Sequence, residues 1–145
     1  MGRSAEQTSK IMRSIRSRDT RPELEVRKLL RLIGIGYRLH RRELPGRPDL
    51  AFIGRKKVIF VHGCFWHQHA DPHCPLKKAS PPQSKYWDAK FARNKHRDDA
   101  NLATLLQMGW SALVVWECET KSTETLRRRL EHFLVETDVG YNVGR

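Results

Sequence analysis

Residues 58–74, VIFVHGCFWHQHADPHC, constrain this chain more than any other stretch. They open on an apolar, largely β-branched run after Arg55, Lys56 and Lys57, and Gly63 then breaks the run. That pattern predicts a buried strand with an abrupt end. Around the break come His62, Cys64, Phe65, Trp66, His67, His69, His73 and Cys74, so this short stretch holds four of the seven histidines and two of the three cysteines. Core segments have little use for so many ligating side chains, and the loop is the first candidate for a site.

A length of 145 residues suits a single domain with a sizeable core. The formal net charge of +12 predicts a positive field that suits a polyanion, and basic residues crowd the first 42 positions. Nucleic acid is therefore the expected partner, rather than solubility being the whole purpose of the charge. No apolar run of about 18 residues occurs and no apolar leader follows the polar start, so no membrane is expected and the location is read as cytoplasmic. Three cysteines in a chain of this size argue against a disulfide framework and give weight to metal binding.

In chain order, residues 1–17 are polar and basic with Ile11, Met12 and Ile15 on one helical edge. Asp19 or Thr20 caps a second helix whose first turn holds Pro22 and Glu23, and Gly34 and Gly36 end it. Helix capping alone would account for Glu23. Residues 37–40 read as a short strand, 44–48 as a rigid turn leading to Asp49, and 50–53 as strand. A turn at Gly54 joins this to the strand at 58–61, which brings Asp49 near the histidine-rich loop. A proline-rich loop over 70–84 precedes a long helix from Ser84 to about Gln107. Its apolar positions include Trp87, Phe91 and Leu105, while Lys90, Asn94, Arg97 and Asp98 lie elsewhere on the wheel. Gly109 stops it. Residues 110–116 are apolar on both faces and predict a central strand, and Thr120 or Ser122 opens a last helix ending near Val135. The expected organisation is a basic N-terminal segment (1–20), an α/β domain (21–135) and a tail (136–145).

Two constellations could carry chemistry. Cys64, Cys74 and Cys118 with one histidine would make a tetrahedral zinc site that pins the proline-rich loop to the sheet edge, and spacing alone does not choose among His67, His69 and His73. The second is Asp49, His62, His67 and Glu23. A carboxylate with carbonyl and water ligands suits Mg2+, and a neutral imidazole can take a proton from water attacking a phosphodiester. Asp49 as an ordinary turn residue after proline is the plainer alternative. Phe65 and Trp66 are adjacent and cannot both face inward easily, which suggests stacking on bases or wedging between them, with core packing for one of the two.

At these residues the chain resembles the very-short-patch mismatch repair endonucleases of the restriction-endonuclease-like superfamily. The matching segments are SKIMRSIRSRDT (9–20), LPGRPDL (44–50), VIFVHGCFWHQH (58–69), YWDAKFARN (86–94) with RD at 97–98, and GWSALVVWECE (109–119). The resemblance implies a mixed central β-sheet flanked by helices and a strand-specific nick 5′ of the mismatched thymine in T·G pairs, which arise when 5-methylcytosine deaminates. It further implies that Asp49 and the main-chain carbonyl of Val61 bind catalytic Mg2+, and that His67 is the general base. Glu23 and His62 would hold metal-bound waters or phosphate. Structural zinc would take Cys64, His69, Cys74 and Cys118. Phe65, Trp66 and Trp87 become wedges beside the mismatch, Met12 approaches from the other groove, and Lys90 and Asn94 reach base edges.

Three departures stand out. Val61 replaces a threonine, which a main-chain ligand tolerates; Gln68 replaces a histidine; and residues 70–73 lengthen the gap before Cys74, which makes His73 a rival to His69. The expected partner is double-stranded DNA bearing the mismatch, with other mismatch-repair proteins as further candidates, and a monomer suffices to nick one strand. Competing readings are a nickase of the same fold with another mismatch or structure as target, and a zinc-stabilised DNA-binding module without chemistry.

Overall fold

The structure is a computed structural model, and it describes residues 19–64, 67, 71, 74 and 84–135. The expected N-terminal helix, most of the proline-rich loop and the tail lie outside these, as do Met12, Phe65, Trp66, His69 and His73.

Helix α1 spans Arg21–Ile33. Thr20 is its cap, its Oγ1 accepting from the Glu23 N–H at 3.4 Å, and Pro22 sits in the first turn, where no N–H is missed. Gly34, at φ 89°, ends it in the left-handed conformation that glycine adopts without penalty. Strands β1 (Arg38–Leu39), β2 (Leu50–Phe52) and β3 (Lys57–His62) follow, then helix α2 (Ser84–Gln107), strand β4 (Ser111–Trp116) and helix α3 (Thr123–Leu134). The four strands form one mixed sheet in the order β1-β2-β3-β4. β1 and β2 pair antiparallel, as do β2 and β3, whereas β3 and β4 run parallel with His62 opposite Trp116.

Strand alternation then sorts side chains to two faces. On one, Leu50, Phe52, Ile59 and Val115 pack with Val26, Leu29 and Leu30 of α1 and Leu126, Leu130 and Leu134 of α3. On the other, Ala51, Val58 and Phe60 pack with Leu44 and with Leu105 of α2. The result is a mixed α/β fold in three layers, with β3 buried on both faces.

The sequence expectation of a central position for the 110–116 strand is corrected: β4 is the sheet edge among the described residues. Helices cover both faces of this sheet, so its edge strand is as apolar on two sides as an interior one. Exposure tells them apart, since only Val115 of β4 is buried. The last helix also begins later than Thr120, because residues Glu117–Lys121 form a 3-10 turn and Ser122 stands at the helix start.

Candidate active site and thiol cluster

The sheet register aligns the site. Asp49 precedes β2, and the antiparallel pairing of Leu50 with Ile59 sets it beside the end of β3. Its Oδ2 accepts from the Val61 N–H at 2.7 Å. Burial pushes the Asp49 carboxyl up to about 8; the Val61 N–H opposes that rise, and the adjoining Glu23 carboxyl adds to it. Glu23 is 1% exposed. Far from serving only as a cap residue, it turns inward, where its Oε2 meets His40 Nε2 at 2.9 Å and the Arg27 guanidinium.

At the end of β3, His62 is buried and its Nδ1 has no partner. Burial, and then the charge of His67, lowers it to about 4, so its ring is neutral near pH 7. The two imidazoles stack with centroids 3.8 Å apart and planes 6° from parallel. Trp116, the register partner of His62, meets that ring edge-on at 5.2 Å. His67 Nδ1 lies 2.6 Å from Asp98 Oδ2 on α2. Burial raises the Asp98 carboxyl, but the hydrogen bond and charge of His67 outweigh it, aided by His62 and Arg97, and hold it below its ordinary value. An ionised carboxylate only accepts, so Nδ1 carries a proton toward Asp98, and in the neutral ring Nε2 holds the lone pair.

These groups line one cleft of about 760 Å3, shared by Asp49, Val61, His62, His67 and Asp98 with Arg42, Arg47 and Arg97. That is room for a substrate segment, edged with cations that suit phosphate. The buried carboxyl of Asp49 and the orphaned Nδ1 of His62 are the polar atoms a hydrated divalent ion would satisfy.

Beyond the strand ends, the Sγ atoms of Cys64, Cys74 and Cys118 lie within 4.8 Å of one another, and the Cys118 N–H donates to Cys64 Sγ at 3.4 Å. Burial pushes the Cys64 thiol up to about 12 and raises Cys118 as well. Three converging sulfurs are a soft donor set suited to zinc, which would draw off their protons.

Sequence reasoning named Asp49, Glu23, Val61, His62 and His67, and the fold brings all five together; the same holds for the three cysteines. Lys90 and Asn94 share the α2 face that leads to Asp98, with Lys90 Nζ 5.6 Å from the Trp87 ring and Asn94 Oδ1 accepting from Arg97 at 3.0 Å. Trp87 itself is 1% exposed and packs beside Tyr86 and Phe91, so it reaches a duplex only if this packing opens. Sequence reasoning did not assign roles to Asp98, Arg27 and His40. A signal for Asp98 was present: Lys90, Asn94 and Asp98 recur every four residues as a polar stripe. Arg27 likewise falls four residues after Glu23.

A mixed sheet whose strand ends gather a buried carboxyl, paired imidazoles and arginines around an open cleft suits the hydrolysis of a phosphodiester, the chemistry of a nuclease. The family model described as "DNA mismatch endonuclease Vsr" matches residues 3–74. The "Type II nicking enzyme V.XorIIP" of Xanthomonas oryzae is 43% identical over 131 residues, which cover 90% of this chain and 94% of that one. The "DNA mismatch endonuclease Vsr" of Escherichia coli is 40% identical, covering 87% of this chain and 82% of its own length. A nicking enzyme of Neisseria meningitidis, V.NmeAIP, is 36% identical over 126 residues. The chain belongs to the Vsr family of DNA mismatch endonucleases.

Proposed function

We propose that this endonuclease nicks one DNA strand 5′ of the mismatched thymine in a T·G pair left by deamination of 5-methylcytosine, in a reaction that depends on Mg2+. The observation that carries the reading is the meeting of Asp49, Val61, His62 and the His67–Asp98 pair in one arginine-edged cleft. Asp49 and the Val61 carbonyl are the proposed Mg2+ ligands. When bound there, Mg2+ would offset the charge that builds on the phosphate in the transition state.

The chain's own groups account for the rest. With its proton on Nδ1 facing Asp98, His67 offers Nε2 to the attacking water and takes its proton as the bond to phosphorus forms; the bond from phosphorus to the leaving sugar oxygen breaks, and that oxygen takes a proton from water. His62, neutral and stacked on His67, holds that ring in place and offers its unpartnered Nδ1 to water or phosphate without adding a positive charge beside the base. Glu23, behind Asp49, helps hold water or phosphate. Arg42, Arg47 and Arg97 fix the backbone of the duplex, which carries register rather than sequence. Lys90 and Asn94 read base edges, and Met12, Phe65 and Trp66 wedge the helix open beside a mismatch that is cheap to deform, joined by Trp87 once its packing against Tyr86 and Phe91 opens. Cys64, Cys74 and Cys118, with His69 or His73 as fourth ligand, would hold zinc, which would supply a structural tie between the segment that follows β3 and the end of β4.

Asp49→Ala tests the centre of this reading. It should bind a T·G duplex and fail to nick it in Mg2+; nicking at the wild-type rate would remove Asp49 from the chemistry.

A further inference from the structure

Glu23 is the most enclosed charged side chain among the described residues, and one of its oxygens is crowded. Oε2 accepts from the Asp19 N–H at 3.0 Å, faces His40 Nε2 at 2.9 Å and is bridged by the Arg27 guanidinium. The same Arg27 Nη2 reaches Asp19 Oδ1 at 2.5 Å, so one guanidinium spans two carboxylates. A carboxylate oxygen has two lone pairs, and three donors leave this one nothing to give a cation. The chain is bent to build the cluster: Asp19 holds φ at 56°, a left-handed conformation uncommon outside glycine. Asp49 differs. Its Oδ2 accepts from the Val61 N–H, its carboxyl shares a hydrogen bond with Glu23, and it lines the cleft.

We infer that Arg27 is a fixed cation of the active site, a positioning residue that neutralises Glu23 and leaves Asp49 as the acidic side chain on which a divalent ion is held. The inference rests on the reading of Asp49 as a metal ligand. Two neighbouring carboxylates with no cation between them would invite a second divalent ion; the guanidinium already stands there, and because it is covalently attached it neither exchanges nor depends on metal supply. His40, just after β1, adds the third contact to the same Oε2.

Mn2+ titration of the full chain without DNA, followed by the electron paramagnetic resonance signal of the free ion, tests this directly. Glu23→Gln, which keeps the shape of the side chain, should keep the wild-type number of bound Mn2+ and lose less than about tenfold in affinity, because Glu23 adjoins Asp49 without binding the ion itself. Arg27→Gln should gain one Mn2+ per chain, Arg27→Gln/Glu23→Gln should lose that gain, and Arg27→Lys should keep the wild-type number. A loss of affinity of about tenfold or more in Glu23→Gln would show that Glu23 binds the ion itself and would overturn the inference, whether or not Arg27→Gln folds. An unchanged count in folded Arg27→Gln would overturn it too. Asp49→Asn separates the two layers of argument. If it abolishes the wild-type ion while Arg27→Gln gains none, only the role of Arg27 falls; if it leaves wild-type binding intact, the metal reading of Asp49 falls and takes the inference with it.

Discussion

Replacing Asp98 with asparagine removes one charge and almost no volume, and its effect can be bracketed from the geometry. The His67 Nδ1 to Asp98 Oδ2 contact is short, at 2.6 Å, and both side chains are about a fifth exposed. A hydrogen bond to a charged partner contributes roughly 1.5–3 kcal/mol, which corresponds to about 10- to 150-fold if that alone is lost. The asparagine can also present its amide N–H2 to Nδ1, which reverses the tautomer and leaves Nε2 protonated. The general-base contribution, about 10²–10⁴-fold, would then go as well. Asp98→Asn should therefore slow nicking by at least about tenfold and by up to about 10⁴-fold, with duplex affinity changed by less than about threefold. Single-turnover nicking of a T·G duplex with enzyme in saturating excess isolates the chemical step. A rate within about threefold of wild type would refute the claim that Asp98 orients the base.

Two further consequences concern stability. The Asp49 carboxyl is raised from 3.8 to about 8, so the folded chain holds a proton there that the unfolded chain releases, and metal-free stability falls as pH rises through that window. His62 is lowered from 6.5 to about 4, which acts oppositely between those limits, so the two offset each other up to about pH 6.5 and the loss appears between 6.5 and 8. Thermal midpoints of metal-free protein should show that fall, and Asp49→Asn should abolish it while eliminating nicking; a wild-type midpoint that rises from pH 6.5 to 8 would contradict the assignment. Cys118→Ser should lower thermal stability and zinc content together, and a mutant with wild-type zinc stoichiometry would take Cys118 out of the thiol cluster.

Much of this architecture was legible in the residues because local patterns encode it. The run from Val58 into His62 and the break at Gly63 marked β3, and helical spacing of Trp87, Phe91 and Leu105 marked α2 over its observed length. What the pattern hid was set by distant partners. Glu23 looks like a first-turn capping residue, and Thr20 does cap the helix, but the carboxylate turns inward because His40 approaches from 17 residues away. Asp98 looks like one more solvated charge until the fold places it 31 residues from His67 in sequence and 2.6 Å in space. The edge position of β4 was hidden for another reason: helical layers on both sides of a sheet erase the polarity difference that would mark an edge.

The central claim is that the cleft hydrolyses a phosphodiester at a T·G mismatch with Mg2+. The most direct measurement is nicking of two end-labelled duplexes that differ only by T·G against C·G at one position, across randomised flanks, in Mg2+ and in EDTA. The account predicts a single cut 5′ of the mismatched thymine, in the T·G duplex and in Mg2+ only. Equal cutting of both duplexes, or cutting that survives EDTA, would contradict it.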